Sequence, residues 1–245
     1  MKKNMVLISV ILLAVTIAGI ALASYFKKRE QYQALRKPTQ NDTKKFREAI
    51  ELFKSGETHG IEASGLRIGP EELKELEGLD QIPYLNLSRT TLTDRNVEIV
   101  AKLTQLRVLN LSETRITDNG LTYFEKHPNL MSLNLDRTPV TDKGLLSIVT
   151  IPNLIDLHLW RNGITDEGCK TIAKMEKMCF LSLDDTMVTD AGIARLFPMK
   201  NLQELRTGGT PVTKNGRDRA RKQWPGIRMN SEFDDEISTH PKSVL

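Results

Sequence analysis

Leu106-Arg-Val-Leu109-Asn-Leu111-Ser-Glu-Thr114-Arg-Ile116-Thr117-Asp118-Asn-Gly120-Leu121 is matched 24 residues on by Leu130-Met-Ser-Leu133-Asn-Leu135-Asp-Arg-Thr138-Pro-Val140-Thr141-Asp142-Lys-Gly144-Leu145. The correspondence runs without insertion through Leu85, Leu109, Leu133, Leu157, Leu181 and Leu205, and through Thr93, Thr117, Thr141, Thr165, Thr189 and Thr213. A fixed period of this size is the signature of a solenoid, in which each repeat is one supersecondary unit that buries its apolar face only by stacking on its neighbours.

Within one repeat the apolar residues of Leu109-Asn110-Leu111 alternate, as a strand buried on one face requires, so Val108, Asn110 and Ser112 point away from the core. After Ile116 the period changes. Leu121 and Phe124, and the equivalent pairs Val97/Val100, Leu145/Ile148 and Ile193/Leu196, sit three apart and suit one or two turns of helix. Thr117-Asp118 reads as the helix cap, with a hydroxyl or carboxylate for the free N–H groups and negative charge for the dipole. Each coil is therefore strand, turn, short helix and return, and a cation-binding ladder of carboxylates is not needed to explain the Thr-Asp column.

The pattern resembles the leucine-rich repeat, L-x-x-L-x-L-x-x-N-x-L, plainly over residues 82–216, with Thr at most of the Asn positions and Asn162 keeping the family residue. The resemblance implies an α/β fold, a curved leucine-rich repeat solenoid with parallel strands on the concave face and short helices on the convex face. It also implies a non-enzymatic module that binds on the concave side. About seven coils over residues 59–230, at strand spacing, give a rod of about 33 Å.

Both ends fade, as solenoid ends do. Subtracting 24 once more reaches Ile61, Ala63, Ile68, Leu73 and Leu76, with Gly69-Pro70 in place of Thr-Asp. At the other end Lys214 replaces the Asp, Arg217 replaces the buried Leu, and Trp224 reads as a lid on the last core. Residues 30–58 divide into a polar linker around Pro38–Thr43 and a helix carrying Phe46, Ala49, Ile50 and Phe53, stopped by Gly56, which covers the first coil. Residues 231–245 read as a polar, disordered tail.

Residues 5–26 contain no charged side chain, and as a helix would span about 33 Å, enough for the hydrocarbon core of a bilayer. Lys2 and Lys3 precede them, and Lys27-Lys28-Arg29 follow the interfacial pair Tyr25-Phe26, so residues 1–29 read as an uncleaved transmembrane anchor. The rival is a signal peptide cleaved after Ala23, which would give a secreted chain. The basic flank at 27–29 pulls the repeats toward the cytoplasm under the positive-inside rule, whereas a short basic start before a long apolar run is how exported anchored proteins begin; the second reading is preferred, with an extracytoplasmic solenoid.

The formal charge of +4 comes from 35 Lys and Arg against 31 Asp and Glu, and residues 1–29 hold five of those bases and no acid. The basicity belongs to the membrane flank, and nucleic acid is not an expected partner. The four His residues, at 59, 127, 158 and 240, are scattered, Cys169 and Cys179 fall in different columns, and no phosphate loop or metal motif is present. Nothing assembles a nucleophile, a base and an orienting group, so no enzyme, metal or cofactor is expected.

What remains is the outward face of the strands. Its columns read Asn86, Asn110, Asn134, His158, Ser182, Arg206; then Ser88, Ser112, Asp136, Trp160, Asp184, Gly208; then Arg89, Glu113, Arg137, Arg161, Asp185, Gly209. The fourth coil stands out, with Asp156, His158, Trp160 and Arg161 projecting there, flanked by Asp136, Arg137, Asp184 and Asp185. An exposed Trp beside Arg is typical of interface hot spots. A protein partner is expected, or an envelope glycan; the alternative class is a soluble adaptor or inhibitor of a partner enzyme.

Overall fold

The computed structural model describes residues 37–230. The membrane segment expected at 5–26, the cleavage site after Ala23 and the tail at 231–245 lie outside the described residues, among which no helix is long and apolar enough to cross a membrane.

The 24-residue period becomes one parallel sheet of eight strands in chain order. These are β1 (Ile61–Glu62), β2 (Tyr84–Asn86), β3 (Val108–Asn110), β4 (Ser132–Asn134), β5 (Asp156–His158), β6 (Phe180–Ser182), β7 (Glu204–Arg206) and β8 (Arg228–Met229). The register is the sequence period itself, with Leu85 against Leu109, Leu109 against Leu133 and Leu133 against Leu157. The seven expected coils are closed by the eighth strand, which pairs Leu205 with Met229.

The helical returns are α2 (Pro70–Lys74), α3 (Val97–Ala101), α4 (Asp118–Leu121), α5 (Leu145–Ile148), α6 (Asp166–Ile172), α7 (Asp190–Arg195) and α8 (Lys214–Gln223). Between sheet and helices lies one continuous core, with Leu85, Leu133, Leu157, Leu181 and Leu205 wholly buried beside Val97, Leu121, Cys169 and Ile193. α1 (Gln40–Lys54) precedes them and buries Phe46 and Ile50. It begins inside the stretch expected as linker, because Thr39 and Asp42 form a reciprocal capping box. Arg47 pairs with Glu75 at 2.9 Å and Thr43 donates to Glu72, which fix α1 on the first coil. At the far end Trp224 is buried as the lid, its Nε1–H donating to the Met199 carbonyl at 2.6 Å and its ring meeting Phe197 edge-on.

The Thr-Asp column does more than cap. Thr117, Thr165 and Thr189 each accept a backbone N–H two residues on, as caps should. The aspartates, however, reach forward into the next coil. Asp94 accepts from both the N–H (2.8 Å) and the hydroxyl (2.6 Å) of Thr117, and Asp118, Asp142, Asp166 and Asp190 do the same for Thr141, Thr165, Thr189 and Thr213. The Gly of Thr-Asp-x-Gly makes room for this clasp. A Cβ built on Gly120, Gly144, Gly168, Gly192 or Gly216 would overlap the Oδ1 of the preceding coil's Asp.

The ends of the array obey the same rule. Pro70 stands where the first Asp would be, so Thr93 has no carboxylate to meet; its N–H goes instead to Asn96 Oδ1 at 2.8 Å, and Asn96 occupies the column that is Gly elsewhere. Lys214 takes the Asp position in the last helical coil, where no further Thr waits for it.

His127 is the polar exception in the apolar column Leu79, Leu103, Ile151, Met175, Met199. Nε2 lies 3.2 Å from the Leu103 carbonyl, while Nδ1 has no hydrogen-bond partner among the described residues. Burial pushes its pKa below the usual 6.5. A His that resists protonation only when folded contributes stability that is complete above the unfolded value and is lost as pH falls from there toward the folded value. His127→Leu, which restores the column, is therefore expected to gain in melting temperature relative to wild type at pH 5 compared with pH 8. A shift identical at both pH values would contradict it.

Candidate functional site

The outward residues occupy two strand columns and the turn that follows. Asn86, Asn110 and Asn134 each turn Oδ1 back onto the N–H two residues on, at Ser88, Ser112 and Asp136, within 3.0 Å. Where the column changes to His158, that local bond is lost; Asp136 of the preceding coil accepts the Trp160 N–H at 2.8 Å instead. The same exchange recurs at Arg206, where Asp184 accepts the Gly208 N–H at 2.6 Å. Asp136 is accordingly buried, and Asp184 also takes Asn230 Nδ2 and Ser182 Oγ. Both were read as flanking the partner-binding cluster, and here both supply the acceptor that a missing Asn leaves open.

Arg89, Glu113, Arg137, Arg161 and Asp185 are not strand residues. They are turn residues with φ between 52° and 56°, and Gly65 and Gly209 share the column with φ of 76° and 66°. Their N–H groups still donate to the next coil, Arg137 to Trp160 O and Arg161 to Asp184 O. The chain thus turns away while the ladder continues, and five side chains sit in a left-handed conformation that costs about 1–2 kcal/mol each.

Trp160 is half-buried rather than exposed. Its indole Nε1–H donates to Asp185 Oδ2 at 2.9 Å, and the guanidiniums of Arg161 and Arg137 lie 4.8 and 5.4 Å from the ring centroid. Arg161 Nε donates to the same Asp185 oxygen at 2.7 Å. Burial raises the Asp185 pKa, but Arg161 and Trp160 outweigh it and hold the carboxyl below its usual value. Trp160 is thereby tied to the preceding coil through Arg137 and to the following coil through Asp185.

Beside it His158 lies 3.0 Å from Asp156 Oδ1 and stacks at 4.6 Å on Phe180, while Ser132 donates to the other oxygen of Asp156. Burial lowers the His158 pKa, yet Asp156, aided by Asp136, overrides it and the net shift is upward. Phe180 was missed. It belongs to the first outward column, Tyr84, Val108, Ser132, Asp156, Phe180, Glu204, one step before the column read from Asn86, and period 2 alone would have placed it.

Both cysteines are free thiols, Cys169 in the core with its pKa pushed up to about 12 by burial. Among the described residues no group of His, Cys, Asp and Glu could hold a metal ion. The site offers aromatic surface, guanidinium donors and fixed carboxylates on a rigid sheet, which suits recognition.

A solenoid of parallel strands with short helical returns is the class that fold and site define. The family model for a leucine-rich repeat matches residues 102–124, 126–149 and 150–173, and the chain is a leucine-rich repeat protein. A solved leucine-rich repeat protein of Leptospira interrogans is similar at 24% identity and a TM-score of 0.50, over 69% of this chain and 41% of that one. This chain therefore spans well under half of that protein, and the likeness is one of fold. A search of curated proteins found no match.

Proposed function

We propose that this protein is a membrane-tethered, non-enzymatic recognition module that holds a protein partner on the open, concave face of its sheet, centred on Trp160. The anchor is residues 5–26, and the repeats lie outside the cytoplasm. The observation that carries the binding reading is Trp160 itself: a large ring kept on the open face, braced by Arg137, Arg161 and Asp185 in one orientation, so that little side-chain entropy remains to be lost on binding. Leucine-rich repeat proteins bind partners through such surfaces far more often than they catalyse.

The test uses native protein captured from membranes together with its partner. Trp160→Ala is expected to weaken partner affinity by about 2 kcal/mol, roughly thirtyfold. The indole–Asp185 bond adds a stability cost of about 1 kcal/mol, whereas Trp160→Phe keeps the ring and most of the affinity. Intact mass of the captured chain should include residues 1–23. Loss of stability with unchanged capture would make Trp160 structural, and a chain starting at Ser24 would remove the anchor.

A further inference from the structure

The acids of the fourth-coil cluster are already engaged within the protein. Asp136 accepts the Trp160 N–H, and Asp156 takes Ser132 and faces His158. Asp184 takes Ser182, Gly208 and Asn230 and pairs with Arg206 at 3.3 Å, and Asp185 takes Trp160 and Arg161. A partner meets few free acceptors there.

The bases are matched unevenly. In the turn column Arg89 pairs with Glu113 at 3.1 Å and Arg161 with Asp185 at 2.7 Å. Among the described residues no carboxylate lies within ion-pair distance of Arg137. Arg137 is exposed, and its guanidinium is steadied near the Trp160 ring at 5.4 Å. A cation–π contact uses none of the guanidinium N–H donors in an ion pair, and a planar fork of such donors binds a carboxylate with two hydrogen bonds.

The surrounding charge restricts what can enter. Four aspartates, at 136, 156, 184 and 185, stand against three arginines, at 137, 161 and 206, so the cluster as a whole does not attract a polyanion. Nucleic acid, polyphosphate and long acidic runs are disfavoured by the same acids that hold Trp160 and Arg161 in place. The same acids leave room for one carboxylate aimed at Arg137, the arginine of the three with no ion pair among the described residues, with an apolar group beside it for the half-buried indole.

We propose that the open face recognises a peptide segment of a protein partner that places a single Asp or Glu carboxylate on Arg137 and an adjacent apolar or aromatic side chain against Trp160. This assignment rests on the open-face reading given above. It makes Arg137 the residue that selects by charge and Trp160 the residue that supplies affinity.

Short synthetic peptides test it, each with one Asp or Glu next to Phe, Trp or Leu, alongside isosteres carrying Asn, Gln or Lys. The purified full chain is used as wild type, Arg137→Glu, Arg137→Lys and Trp160→Ala. Wild type is expected to retain carboxylate peptides and to bind the Asn and Gln isosteres about tenfold more weakly. Arg137→Lys should keep the charge preference with reduced affinity, since the fork is lost. Arg137→Glu should turn the preference toward Lys peptides while the melting temperature holds. If Arg137→Glu keeps the wild-type preference while Trp160→Ala abolishes binding, the charge assignment fails and the open-face reading stands. If neither variant changes binding, both fail. Binding to neutral oligosaccharides alone, or to none of the peptides, overturns the peptide assignment.

Discussion

Leu133→Asp is expected to take down several coils at once rather than one. Leu133 is wholly buried in β4 and sits between Leu109 and Leu157 in the continuous column. An unpaired carboxylate in that stack costs about 3–5 kcal/mol, against a whole-domain margin of about 5–15 kcal/mol. Each coil buries its face only against its neighbours, so the loss spreads along the array. The adjacent outward residue makes the comparison sharp. Asn134→Ala loses only the bond that the Asp136 N–H donates to Oδ1, about 1 kcal/mol. Urea unfolding of the two variants should therefore give well-separated midpoints, and equal midpoints would mean that the two faces of the strand are misassigned.

The second large effect concerns the clasp. Gly168→Ala places a methyl against Asp142 Oδ1, with Leu145 and Ile164 closing the other sides, and should cost about 2–3 kcal/mol. Asp142→Ala removes the bonds at 2.9 and 2.5 Å to the Thr165 N–H and hydroxyl and should cost about 2 kcal/mol. Removing the carboxylate also empties the space the new methyl needs. The double variant should thus fall short of the sum by about 1 kcal/mol or more, a coupling a thermal or urea cycle can resolve. Strict additivity would show that Gly168 is there for some reason other than Asp142.

That motif also shows how far the fold was legible in the chain. Strand, turn and helix, the inward leucines, α1 with Phe46 and Ile50, and the Trp224 lid follow from periods of two and about 3.6 and from faded ends. The Asp of Thr-Asp-x-Gly reads as a local cap because a cap is the only partner visible within one repeat. Its actual partner lies 23 residues ahead. The signal was present in the exceptions: Asn96 where Pro70 precedes, and Lys214 where no coil follows.

The clustering of the site's side chains was legible in the sequence, and their contacts less so. Trp160, Arg137, Arg161, His158 and Asp156 do converge on the open side of β4 to β6, as the columns require. Asp136 and Asp184 accept the N–H of the next coil because His158 and Arg206 do not cap the turn as Asn does, a trade between neighbouring coils that no single repeat reveals. The turn column was read as strand because alternation carries no mark where φ becomes positive; only Gly65 and Gly209 at its ends hint at the left-handed backbone.

The central claim is that the partner sits on the open face over the fourth coil, and site-specific photo-crosslinking in native membranes tests it most directly. A photoreactive residue replaces either Glu113, in the turn column of the open face, or Leu146, which is exposed on the helix side at 61%. The account predicts a covalent adduct from position 113 that Trp160→Ala diminishes, and none from position 146. An adduct from position 146 alone, or one from position 113 indifferent to Trp160, would contradict it.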